Sequence, residues 1–217
     1  MSDFYLPQRA FFMINYKCPF AEPAPKIDGN LREWNSEMSL PNFASLDGQT
    51  PYAECYLCWN NEGLYFGIEV KNKTNYKLNP SDPTKGDCIQ LFIDTRDVKA
   101  QRANRYCHRF YFLPGGIGKT TKTPFGRQIA IDDAQEQSPP CAEDTINARV
   151  RILKKSYQME VKLPARGLNG FNPREFSRMG FTYLINDTEH GIQSWSAIPD
   201  MGVEHNPATW GSAELTV

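Results

Sequence analysis

Four polar side chains lie on three predicted strands: Gln90, Arg109, Asn186 and Asp187. Sugar rings have apolar faces bordered by hydroxyl groups, so proteins bind them with an aromatic ring together with amide, guanidinium or carboxylate groups. If these side chains point outward from one sheet, they could form such a surface. An ordinary solvated sheet face carries the same residue types, so both interpretations stay open at this point.

Carboxylates surround the strand that carries Gln90. Asp87 precedes this strand, and Asp94 and Asp97 follow it. Calcium is a hard cation that takes oxygen ligands, which makes these three aspartates candidate ligands of a structural calcium ion. The alternative is that the carboxylates are solvated or paired with Arg96.

No sequence motif indicates catalysis. Acids such as Asp94 and Glu160 could pair as in glycoside hydrolases, but nothing in the sequence brings them together. Cys55 and Cys58 are three residues apart on a predicted strand, so they point to opposite faces and cannot share one metal ion. Segment 115–121 ends like a phosphate-binding loop but lacks the first glycine of that motif. We therefore predict a protein that is not an enzyme and requires no cofactor.

The charge balance argues against two classes of partner. The chain has 24 lysine and arginine residues against 25 aspartate and glutamate residues, with a formal net charge of -1. This balance does not favour nucleic acid or an anionic membrane as the partner. The N-terminal 20 residues lack the basic and apolar regions of a secretory signal. We expect a cytoplasmic protein with reduced cysteines, or an extracellular one if a leader has been removed.

The residue pattern of segment 86–97 predicts the central strand of the fold. Ile89, Leu91 and Ile93 alternate with polar or aromatic residues, which is the period-two pattern of a strand. This pattern predicts one buried face and one exposed face, with Gln90 on the exposed face.

Similar alternation along the chain predicts about ten short strands. Residues 51–71 form the clearest hairpin, around an Asn-Asn-Glu-Gly turn at 60–63, and residues 148–163 form a second one. His108 lies on the apolar side of its strand, which indicates a core or pocket histidine. No helical period is sustained. We therefore predict an all-β fold, a single antiparallel β-sandwich of jelly-roll or Greek-key type over residues 26–217, preceded by an arm or added strand at 1–25.

Several sequence blocks occur in the order found in family 9 carbohydrate-binding modules, which belong to the DOMON-like β-sandwich group. The chain resembles this family in the blocks IDG…EW (27–34), CYLCWNNEGLYFGIEV (55–70), GDCIQLFID (86–94), GFTYLINDTE (180–189), SWSAIP (194–199) and WGSAEL (210–215). The resemblance implies a non-catalytic sandwich that binds the ends of sugar chains and often accompanies xylanases and related glycoside hydrolases. It also implies that structural calcium is compatible with the fold.

Site residues follow from the resemblance by position. Gln90 stands where the family has an acidic sugar-contacting residue, Arg109 falls near the family's sugar-contacting arginine, and Asn186 and Asp187 match an Asn-Asp pair.

The resemblance also locates the two tryptophans between which family members hold the sugar ring. Their places fall around Thr84 and Glu204, where this chain has no tryptophan. Tyr76 is the only aromatic residue of the first of these loops, and we include it among the candidate ligand-binding residues.

Two other functions remain open from the sequence. DOMON-like relatives include haem-binding modules, for which Met159, Met179, Met201 and His108 could supply axial ligands. A β-sandwich that binds a protein partner and no small ligand is the other alternative, and the missing tryptophan pair favours it.

Overall fold

The computed structural model describes residues 8–115 and 124–217, in which eleven strands and several short 3-10 helices form the regular structure. The strands are β1 (Asn15–Pro19), β2 (Ala53–Asn60), β3 (Gly63–Lys71), β4 (Cys88–Asp94), β5 (Cys107–Leu113), β6 (Phe125–Ile129), β7 (Asn147–Ile152), β8 (Ser156–Pro164), β9 (Arg178–Asp187), β10 (Gly191–Ser194) and β11 (Gly211–Thr216). The phosphate-loop candidate at 115–121 lies, except for its first residue, outside the described residues. None of the helices in 8–115 and 124–217 is long and apolar enough to cross a membrane.

The strands form two sheets. The first sheet has the order β1-β11-β9-β4-β5-β6, with β10 paired to β9, and the second has the order β2-β3-β8-β7. Both predicted hairpins are present, as β2–β3 and β7–β8. The prediction of an all-β sandwich is confirmed, with one difference: the pairing is not antiparallel throughout, since β1 pairs with β11 in parallel.

The main core lies between the two sheets, and β4 contributes to it as predicted. Ile89, Leu91 and Ile93 are at most 1% exposed and pack in this core. His108 is fully buried on the neighbouring strand and lies parallel to the ring of Phe110. Burial lowers the pKa of His108 to about 4, so the histidine is neutral at physiological pH. This confirms the interpretation of His108 as a core residue.

The other face of β4 is not exposed, and here our expectation was wrong. Gln90 is 1% exposed and Phe92 is fully buried. The cause is a set of long connections that cross this face of the first sheet and build a second apolar cluster on it. That cluster consists of Phe92, Ala103, Cys107, Ile131, Leu184, Ala197, Val203 and Trp210.

The segment 27–34 folds back onto the second sheet through one carboxylate. Glu160 on β8 accepts hydrogen bonds from the Trp34 indole at 2.8 Å and from the backbone N–H groups of three consecutive residues, 28–30. Burial raises the pKa of Glu160, and these four donors oppose that effect by favouring the charged form. Glu160 therefore holds a loop in place and is not half of a catalytic pair with Asp94.

Candidate functional site

Three adjacent strands bring three of the predicted ligand-binding residues onto one surface. On the outer face of the first sheet, Gln90 of β4 lies between Leu184 of β9 and Tyr111 of β5. Arg109 is two residues before Tyr111, and Asn186 is two residues after Leu184. Because side chains alternate along a strand, Gln90, Arg109 and Asn186 share this face.

Gln90 and Arg109 are joined by two hydrogen bonds. The Gln90 Oε1 atom accepts from the Nε and Nη2 groups of Arg109 at 2.9 and 2.6 Å. Arg109 also pairs with Glu204, whose Oε1 lies 3.0 Å from Nη2, and the Gln90 amide donates to the same oxygen at 3.5 Å. We call Gln90, Arg109 and Glu204 the polar centre. The Arg109 side chain is 5% exposed and that of Glu204 is 42% exposed, so the carboxylate faces solvent above the guanidinium.

Asn186, on the same face as the polar centre, bonds to the loop before β4. Its Nδ2 group donates to the carbonyl oxygens of Thr84 at 3.0 Å and Gly86 at 2.7 Å. Both protons of this amide are therefore used by the loop, which leaves Oδ1 as its group for a ligand. Thr84 and Glu204, the two positions at which the resemblance locates tryptophans, each contact a predicted site residue.

Comparisons with known proteins identify the family of the chain. A family model described as "Carbohydrate family 9 binding domain-like" matches residues 27–217. The chain belongs to this family. It is therefore a non-catalytic carbohydrate-binding domain, as the sequence predicted. The comparison with curated proteins gives no match.

Solved structures show the same fold. One is a family 9 carbohydrate-binding module from Caldicellulosiruptor kristjanssonii in complex with cellotriose (18% identity, TM-score 0.67, 93% of both chains). A second structure with this description, in complex with glucose, has 18% identity and a TM-score of 0.68 over 93% of this chain and 95% of the other. A putative carbohydrate-binding protein from Bacteroides uniformis ATCC 8492 has 13% identity and a TM-score of 0.54 over 93% and 97%.

Two predicted site residues lie elsewhere in this family 9 domain. Asp187 follows Asn186 on β9, and the alternation turns its side chain to the opposite face, where it bonds to the buried Lys73 at 3.2 Å. Tyr76 is half-buried and packs against Tyr157 of the main core, with ring centroids 6.0 Å apart. Neither residue contacts the polar centre, because both lie at the end of the space between the sheets.

The three predicted calcium ligands do not come together. Asp87 and Asp94 are at opposite ends of β4, about 23 Å apart for seven residues of extended chain. Asp87 bonds to Lys73 at 2.7 Å, Asp94 accepts two backbone N–H groups of the turn that follows it, and Asp97 pairs with Arg178 at 2.7 Å. Burial raises the pKa of Asp94. In the part of the chain that the structure describes, no group of three or more His, Cys, Asp or Glu side chains is arranged to hold a metal ion.

The residues considered as haem ligands do not converge on a pocket. Met159 and Met179 are buried in the main core between the sheets, whereas Met201 packs against the outer cluster on the other side of the first sheet. This placement gives the haem alternative no geometric support.

Sequence reasoning missed three residues of the site. Tyr111 pairs with Gln90 across β4 and β5, and Arg127 of β6 pairs with Tyr111, its guanidinium 5.6 Å from the ring centroid. The alternation of β5 already places Tyr111 on the face of Arg109, so this signal was available. Glu204 comes from an irregular connection, where no period could have indicated the direction of its side chain.

Proposed function

We propose that the polar centre binds the end of a saccharide chain and holds it without chemical change. The observation that carries this proposal is the convergence of Gln90, Arg109 and Glu204 on the face of a family 9 domain. The related structures support a carbohydrate ligand, since those from Caldicellulosiruptor kristjanssonii are complexes with cellotriose and glucose.

The chemistry of the polar centre fits a pair of neighbouring sugar hydroxyls. A hydroxyl both donates and accepts, and the site holds N–H donors on Arg109 and acceptor oxygens on Glu204 and Asn186. Hydrogen bonds to charged groups contribute about 1.5–3 kcal/mol each, more than bonds between neutral groups. Thr84 and Glu204 offer no ring for stacking, so the affinity depends on hydrogen bonds, and we expect dissociation constants in the millimolar range.

A glycan array followed by isothermal titration calorimetry tests the proposal. Arg109→Gln removes the guanidinium, and we expect at least about a tenfold loss of affinity, the low end of what a charged hydrogen bond contributes. Arg151→Gln is the matched control, because Arg151 is exposed on β7 of the second sheet. Circular dichroism checks that both variants fold. The proposal is refuted if no mono- or oligosaccharide binds at millimolar concentration, or if the two variants lose affinity equally.

A further inference from the structure

The geometry points to an acidic sugar as the ligand: we infer that the carboxylate of a uronic acid replaces that of Glu204 on Arg109. This inference rests on the proposed function and adds the class of sugar to it.

The charge of Arg109 favours an acidic ligand. A guanidinium that is 5% exposed needs a partner that balances its charge, because an unpaired buried charge is costly. Its partner from the sheet itself, Gln90, is a neutral amide. The residues opposite Arg109 on the neighbouring strands, Phe92 and Ile129, are apolar. Among the described residues, Glu204 is the one carboxylate that pairs with Arg109.

The carboxylate that pairs with Arg109 comes from a loop and not from the sheet. Glu204 belongs to the connection 195–210 between β10 and β11 and is 42% exposed, so water can replace its contacts when it leaves. Water screens a half-exposed carboxylate, so this ion pair is weaker than a fully buried one. A ligand carboxylate can therefore exchange with Glu204 at low cost. It gains the planar, two-pronged contact that guanidinium groups make with carboxylates.

A second positive charge lies near the polar centre. The outer face continues from Gln90 to Tyr111 and then to the exposed Arg127, in direct cross-strand register. Strands are about 4.8 Å apart, so Arg127 lies about 10 Å from Gln90, within one or two sugar rings. A second cation at this distance favours a chain of acidic sugars over an isolated one.

The alternative within the same site is a neutral sugar whose hydroxyls donate to Glu204 where it stands. The two ligands predict opposite effects of Glu204→Gln. A neutral sugar loses a charged acceptor and binds more weakly. A uronic acid no longer competes with an internal carboxylate and binds more tightly.

Calorimetric titrations with matched pairs of acidic and neutral sugars test the inference. Glucuronic acid is compared with glucose, and galacturonic acid with galactose, each also as the end of a short oligosaccharide. We expect the acids to bind at least about tenfold more tightly than the neutral sugars, as a charged pair on a buried arginine implies. Glu204→Gln should raise the affinity for the acids at least about threefold, because an exposed ion pair already contributes about this much and Arg109 is buried. Arg109→Lys should lower it about tenfold, because an ammonium group cannot make the two-pronged contact.

Glu62→Gln and Arg151→Lys are the matched controls, since Glu62 is exposed in the turn between β2 and β3 and Arg151 is exposed on β7. If neutral sugars bind and the acids do not, the inference is overturned and the proposed function stands. If neither class binds, the proposed function fails and the inference fails with it. If Arg109→Lys does not fold, the sign of the Glu204→Gln effect on the two sugar classes decides, because Glu204 lies at the surface.

Discussion

Lys73 is a buried cation between two loops, and its removal should destabilise the domain. Its side chain is fully buried, with Nζ 2.7 Å from Asp87 and 3.2 Å from Asp187. Glu189 lies 4.0 Å away. The loop 72–87 is thereby attached to the end of β9, and this loop also contacts Asn186 through the carbonyl oxygen of Thr84.

The magnitude follows from what remains after Lys73→Met. Methionine fills most of the space of the lysine stem but leaves two buried carboxylates without their cation. Breaking a buried ion pair in this way costs about 3–5 kcal/mol. Asp87 keeps three hydrogen bonds from Lys77 and Thr188, and Asp187 keeps two from backbone N–H groups. These bonds place the cost near the lower end, about 3 kcal/mol, which lowers the Tm of a chain of this size by roughly 6–12 °C.

Differential scanning calorimetry of three variants tests this reasoning. Lys71→Met is the matched control, because Lys71 pairs with Glu54 at the surface, where the side chains are 49% and 53% exposed. We expect this control to cost less than about 1 kcal/mol. Combining Lys73→Met with Asp187→Asn should restore part of the loss, since one uncompensated charge is gone. Equal shifts for Lys73→Met and Lys71→Met would show that the buried pair does not stabilise the fold.

Two further predictions concern pH and calcium. The folded state keeps His108 neutral down to about pH 4, whereas the unfolded state binds a proton near its ordinary pKa of 6.5. The free energy of unfolding therefore falls as the pH drops from 6.5 to about 4, by up to about 1.4 kcal/mol per pH unit. Urea titrations should show that His108→Gln removes this contribution to the pH dependence. The same pH dependence in both proteins would contradict the prediction. Millimolar Ca²⁺ or EDTA should shift Tm by less than about 1 °C, because Asp87 is bonded to Lys73 and Asp97 to Arg178. Scanning fluorimetry measures this shift, and a change of several degrees would show a calcium site.

The fold was predictable because local patterns specify it. The period-two runs around 60–63 and 154–156 are both hairpins in the structure. Ile89, Leu91 and Ile93 face the core that their spacing requires. In each case neighbouring residues in the sequence carry the information, and a pleated strand converts it directly into faces.

The burial of the Gln90 face was not predictable in the same way. It depends on where three long connections cross the sheet, and these connections have no period of their own. The position of Asp187, by contrast, was available from the sequence. Asn186 and Asp187 are adjacent on one strand and must point to opposite faces, so they could not both have contacted one ligand on the outer face.

The acidic group of the site lies on a loop in this chain and not on the sheet. The resemblance places an acid at the position of Gln90 and a tryptophan near Glu204, and the chain has a neutral amide at the first position and the acid at the second. A carboxylate on β4 would be held by the pairing of its strand on both sides. The carboxylate of Glu204 is attached to an irregular connection and half-exposed, so it can leave Arg109 without any change in the sheet. Compared with the family pattern, this chain therefore lacks both the fixed acid and the stacking ring at these two positions and has instead an acid that can move away. The charge of the ligand is then the property that this site can select.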